Sequence, residues 1–210
     1  MGIIGSDSKN GKGDASMWRN STERYGSLQI GLHWLMLLLL VLVYALIELR
    51  EFFPKGSDPR ELMKALHFMF GISVLLLVIV RIAARFSGPT PQIRPPMGRG
   101  MELAARLMHL ALYVFMIAMP IAGWLIVSAK GKPVPFFGLE LPPLIGPDKA
   151  LAERIEDVHK AVGEFGYYLI GLHAVAALYH HHFMKDNTLL RMLGRSVKTS
   201  PTDPVSSARP

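Results

Sequence analysis

An all-α membrane protein, built as a four-transmembrane-helix bundle, follows from three features of the chain. Half of its 210 residues are hydrophobic and only 19% are charged, giving a mean hydropathy of +0.30, too apolar for a soluble domain of this size. The apolar residues gather into four runs of about 20, the length a helix needs to cross a bilayer. Segments rich in Pro and Gly, through which no helix continues, separate the runs.

The first run covers about Leu28 to Ile47 and stops at "FFPKGSDPRE"; the second covers Leu62 to Ala84 and stops at "SGPTPQIRPPMGRG". The third, Leu103 to Val127, is followed by "GKPVPFFGLELPPLIGPDK", and the fourth, Val158 to Phe183, is interrupted by histidines. No repeat or linker divides the sequence, so residues 25–195 read as one membrane domain. Residues 1–24 and 196–210 are polar and read as disordered tails. The start, "MGIIGS", fits the N-myristoylation pattern, although a four-span protein needs no lipid anchor. No apolar stretch of the signal-peptide kind precedes the first span.

The net charge of +7 is not collected into a basic stripe of the kind that binds nucleic acid. It gathers at the ends of the apolar runs, and 14 of the 23 Lys and Arg fall on the side holding both chain ends. The positive-inside rule therefore predicts cytoplasmic termini.

With no Cys in the chain, disulfides, thiolate metal sites, iron–sulfur clusters and cysteine nucleophiles are excluded. A cofactor has only His, Met or carboxylate to hold it. Imidazoles are costly in a bilayer unless paired or bound, yet five of the eight histidines lie between Glu156 and Asp186, and every span has at least one. His33 falls in the first, His67 in the second, His109 in the third, and His159 and His173 in the fourth.

Depth sorts them. His33 lies on the half of the membrane nearer the termini and His67 on the opposite half. On a helix, the 14 residues from His159 to His173 amount to about 21 Å of rise and roughly the same face. One helix thus presents ligands at two levels, an arrangement suited to two stacked haems, each with two axial imidazoles from different helices. Matching by depth pairs His67 with His159 on the outer side and His33 with His173 on the inner side, with His109 and His180 competing for the inner assignment. Gly31, Gly71, Gly163, Gly166 and Gly171 would let a flat macrocycle or a neighbouring helix come close. The 12 Met residues read as gap-filling core. His180, His181 and His182 point about 100° apart on a helix and so do not converge on one metal ion.

The segments "RYGSLQIGLHWLMLLLLVLVYALIELREFFPKGSD", "LHFMFGISVLLLVIVRIAARF", "PTPQIRP" and "YYLIGLHAVAALYHHHFMKDNTLLRML" resemble the bacterial cytochrome b561 family, and within it the superoxide oxidase branch, from about Arg24 to Leu193. The resemblance implies a four-helix cytochrome in the bacterial inner (cytoplasmic) membrane with two haem b groups. It implies axial ligands at His33 in "GLHW", His67 in "LHFMFGIS", His159 in "DVHKAVGEFGYY" and His173 in "IGLHAVAA". It also implies electron transfer from superoxide outside, through the haems, to ubiquinone, with no protein partner required. The N-terminal tail and the outer segment "PPLIGPDKALAERIED" depart from the family pattern.

Lys130, Lys132 and Lys160 are the cations placed to steer superoxide towards an outer haem. Trp34, Arg81, Arg106, His109 and His180 are the inner candidates for a quinone or haem environment, with His180 as donor to the quinone. Two other classes remain: a cytochrome b relay subunit anchoring a hydrogenase or dehydrogenase to the quinone pool, and a colourless His-lined transporter or metal carrier.

Overall fold

The computed structural model describes residues 20, 25–86 and 88–194. The two tails and the myristoylation pattern lie outside these residues, Asn20 excepted. Helix α1 spans Ser27–Leu49 and is closed by a tight turn at Arg50–Phe52. Helix α2 spans Asp58–Phe86 and α3 spans Arg99–Ala129. Strands β1 (Val134–Phe136) and β2 (Leu139–Leu141) form a hairpin. Helix α4 spans Lys149–Tyr179 and runs into a π turn at His180–Met184, and α5 is the short helix Thr188–Met192.

The four long helices are each long and apolar enough to cross a membrane, as the four runs predict. Inside lipid a helix satisfies its own backbone, which is why these runs fold this way. Large apolar side chains project outward along all four, Leu38, Ile79, Leu110 and Val175 among them. In water such a surface would aggregate; in a bilayer it is the lipid face.

The interior is a cluster of Met36, Val74, Val78, Leu112, Phe115, Met116 and Leu169. Met36 and Met116 fill it as expected of methionine. Packing is closest at Gly166, where a Cβ would stand 2.2 Å from the Tyr44 hydroxyl and 2.4 Å from Phe115 Cζ. Backbone packing runs in series, α1 on α2, α2 on α3 and α3 on α4. Among the described residues α4 makes no comparable backbone contact with α1, so a seam separates them.

One expectation needs correction. The sequence reading places "PPLIGPDKALAERIED" in an outer loop, but α4 begins at Lys149, inside that segment. Asp148 caps it by accepting from the Leu151 amide at 2.9 Å, satisfying one of the donors that a helix start leaves free. The hairpin was not foreseen. Its turn uses Phe137 and Gly138 at φ 46° and 85°, the left-handed pair that suits a two-residue hairpin. The hairpin docks through buried Val134 and through Phe137, whose amide meets Met69 Sδ at 3.2 Å.

Arg60 closes the turn between α1 and α2. It donates to the carbonyls of Arg50 and Phe53, each at 2.9 Å, and to both carboxylate oxygens of Glu51 at 3.0 Å. At the opposite end the described chain ends meet: Arg191 reaches the Tyr25 hydroxyl at 3.1 Å, and Trp34 Nε1 donates to the Met192 carbonyl at 3.0 Å.

Candidate functional site

Four imidazoles form two pairs, each with one member on α4. His67 on α2 and His159 on α4 have ring centroids 6.5 Å apart; His33 on α1 and His173 on α4 have centroids 6.3 Å apart. Metal–imidazole bonds of about 2.0–2.1 Å, added to the ring dimensions, put the centroids of two rings on opposite sides of one metal roughly 6–6.5 Å apart. Both pairs meet that spacing. His109 on α3 also faces His173, but at 5.4 Å, tighter than the other two.

The His67–His159 pair lines a cavity of about 760 Å³, within the range of cofactor pockets. His67 Nδ1 lies 2.9 Å from the Val43 carbonyl and donates to it, which leaves Nε2 its lone pair, the state a metal ligand needs. Nδ1 of His33 and of His159 is buried with no hydrogen-bond partner. Gly71 lines the same cavity, and a Cβ there would meet nothing within 4 Å. The residues present fit a flat group held between two axial imidazoles.

Two tyrosines bridge the seam beside this cavity. Tyr44 on α1 donates to the Gly163 carbonyl of α4 at 2.7 Å, and Tyr167 on α4 donates to Glu48 of α1 at 2.8 Å. Their rings lie 4.3 Å apart. The sequence reading used Gly163 and missed the tyrosines.

The cations nominated from sequence are not equivalent. Lys130 and Lys160 both pair with Glu156, at 2.5 and 2.8 Å, whereas Lys132 lines the cavity with no ion pair within 4.0 Å among the described residues. The pairing of Glu156, three residues before His159, is not visible in the sequence because its partner Lys130 is 26 residues away.

At the end of the bundle nearer Tyr25 and Arg191, Trp34 stands edge-on to His33 at 5.4 Å, its indole donor committed to Met192. Arg81 is half-buried, with Nε lacking a partner. Arg106 is exposed and pairs with Glu102 one turn away. His180 is buried, and its Nδ1 meets Asp186 Oδ2 at 2.5 Å. The π turn and Lys185, at φ 53°, bend the chain so that Asp186 returns to His180. Burial alone would push the Asp186 carboxyl up; hydrogen bonds from His180 and Thr188 outweigh it and hold the group below the usual range. His181 and His182 pack on each other at 4.9 Å, and among the described residues no three His, Asp or Glu side chains converge on a metal position.

Comparison with known proteins adds a family. Residues 24–195 match the family described as prokaryotic cytochrome b561. The chain is 40% identical over 172 residues to cytochrome b561 homolog 1 of Escherichia coli strain K12, covering 82% of this chain and 98% of the relative. It is 40% identical over 171 residues to the probable superoxide oxidase CybB of Yersinia pestis, covering 81% and 96%. It is 31% identical over 179 residues to cytochrome b562 of Cereibacter sphaeroides, covering 80% and 94%.

Proposed function

The chain belongs to the prokaryotic cytochrome b561 family, and from that membership we propose that it is a di-haem cytochrome b of the bacterial inner membrane that oxidises superoxide outside and reduces ubiquinone at the inner side. The observation that carries the reading is the two imidazole pairs, at 6.5 and 6.3 Å, strung along one helix at two depths. His67 and His159 would hold the outer haem, and His33 and His173 the inner one. A haem held there by these imidazoles would supply one-electron transfer.

The stoichiometry follows from the acceptor. Two superoxide anions each give up one electron and leave as dioxygen; the two electrons and two protons convert ubiquinone to ubiquinol. Lys130, Lys132 and Lys160 attract the anion at the outer mouth. At the inner end, His180 donates to the quinone while Asp186 fixes its tautomer, the arrangement a general acid requires. Arg81, His109 and Trp34 surround the inner imidazoles and shape that end of the path. The name of the Yersinia pestis relative supports superoxide as donor.

The test is the visible spectrum of the purified, oxidised protein under a steady source of superoxide. Reduced b-type haem that forms within mixing time and drains on adding ubiquinone is the expected result. Haem that superoxide leaves oxidised would overturn the reading in favour of a relay subunit docked to a soluble dehydrogenase or hydrogenase.

A further inference from the structure

The outer cavity is lined by seven Lys or Arg residues and five Glu residues, so its net charge is small and placement decides what enters. Most of the cations are engaged. Arg50 and Arg60 share Glu51, Lys64 pairs with Glu61, and Lys130 and Lys160 share Glu156.

The last of these differs from the others in position. Lys130 follows α3, while Lys160 and Glu156 lie one turn apart on α4, flanking His159. Each Glu156 oxygen takes one ammonium, Oε2 that of Lys130 and Oε1 that of Lys160. One carboxylate thus holds two lysines beside the outer imidazole and cancels half their charge. All three side chains are partly exposed, at 31% for Glu156, 40% for Lys130 and 54% for Lys160. At that boundary with water, ion pairs are weak enough to exchange.

Building on the function proposed above, we propose that Glu156 is the positioning residue for anion entry, a shared counter-ion that an incoming small anion displaces from one of the two lysines. A carboxylate in this place does two opposed things. It keeps both ammonium groups at the mouth, and it lowers the field an approaching anion feels. Small oxyanions that can take over one carboxylate oxygen's hydrogen bond are favoured, and cations are tolerated while Glu156 is charged.

Glu156→Gln keeps the shape and one acceptor while removing the charge. In stopped-flow reoxidation of the reduced full-length protein, E156Q should raise the ratio of the ferricyanide rate to the tris(phenanthroline)cobalt(III) rate about threefold or more at low salt, and the gain should vanish near 1 M salt. Labelling of Lys130 and Lys160 by an amine-reactive reagent, read by mass spectrometry, should rise in the same variant. Glu102→Gln, at the opposite end and paired with Arg106, should change neither. An E156Q ratio equal to wild type with haem content intact would overturn the proposal. Failure of superoxide to reduce the wild-type haem would instead remove the donor assignment, so the two readings fall separately.

Discussion

At the scale of single residues, His180 and Asp186 show how chemistry was divided between what sequence exposes and what folding supplies. An imidazole in an apolar run announces itself because it is expensive there. A carboxylate just past the end of a span reads as solvated, and only the π turn with Lys185 in a left-handed conformation returns it to the protein. The depressed Asp186 pKa has a definite sign. Its contribution to stability is present above the unfolded value, near pH 4, and is lost as pH falls through the folded value. Asp186→Asn should cost about 1.5–3 kcal/mol at pH 7, typical of a hydrogen bond to a charged group. Thermal melts should find that gap closing as the pH is taken below about 4, where the wild-type carboxyl protonates; a gap independent of pH would count against it. Glu156 was hidden for a different reason, because 26 residues separate it from Lys130 and no local pattern joins them.

At the scale of elements, four spans were legible because bilayer thickness imposes a length and an apolar composition on every helix. Their ends were less so. The first turns of α4, from Lys149, carry charges that read as loop, and the Asp148 cap that starts them becomes visible only in three dimensions. The hairpin was lost among prolines. The "KDN" segment gains a structural role that sequence did not assign: the Asn187 amide donates to the Arg94 carbonyl at 3.2 Å, its Oδ1 accepts from the Arg94 amide at 3.0 Å, and its Nδ2 reaches the Gln92 carbonyl at 3.4 Å. Asn187, at the start of α5, therefore clamps the connection between α2 and α3. Asn187→Ala should raise hydrogen exchange across residues 88–98 by about tenfold, the consequence of losing roughly 1.4 kcal/mol of local protection, with no change in the outer hairpin; unchanged exchange would remove the clamp.

At the scale of the whole molecule, α4 is the common wall of both imidazole pairs. Pairing by depth along that helix lands on the two sets of rings that stand 6.5 and 6.3 Å apart, since a fixed rise per residue converts spacing into depth. What sequence left open was the competition from His109, which the structure brings to 5.4 Å from His173. The proposed ligation makes a quantitative demand. His159→Ala and His33→Ala should each retain about half the haem per protein, the first losing the outer group and the second the inner. Haem-to-protein ratios with redox titration distinguish the two, and full haem content in either variant would break the pairing.

The serial packing of the helices also sets an order of birth. Synthesis proceeds from the N-terminus, so a growing chain that has released α1, α2 and α3 into the membrane carries His33 and His67 without the α4 imidazoles that stand 6.3 and 6.5 Å from them. The helix that supplies both missing partners is the last long one to emerge. Under the proposed ligation both sites are completed by a single event, the packing of α4 onto the other helices, and a chain cut short after Ala129 has neither. A chain that stops early therefore makes no half-assembled version of the proposed path, only a three-helix fragment without the α4 imidazoles.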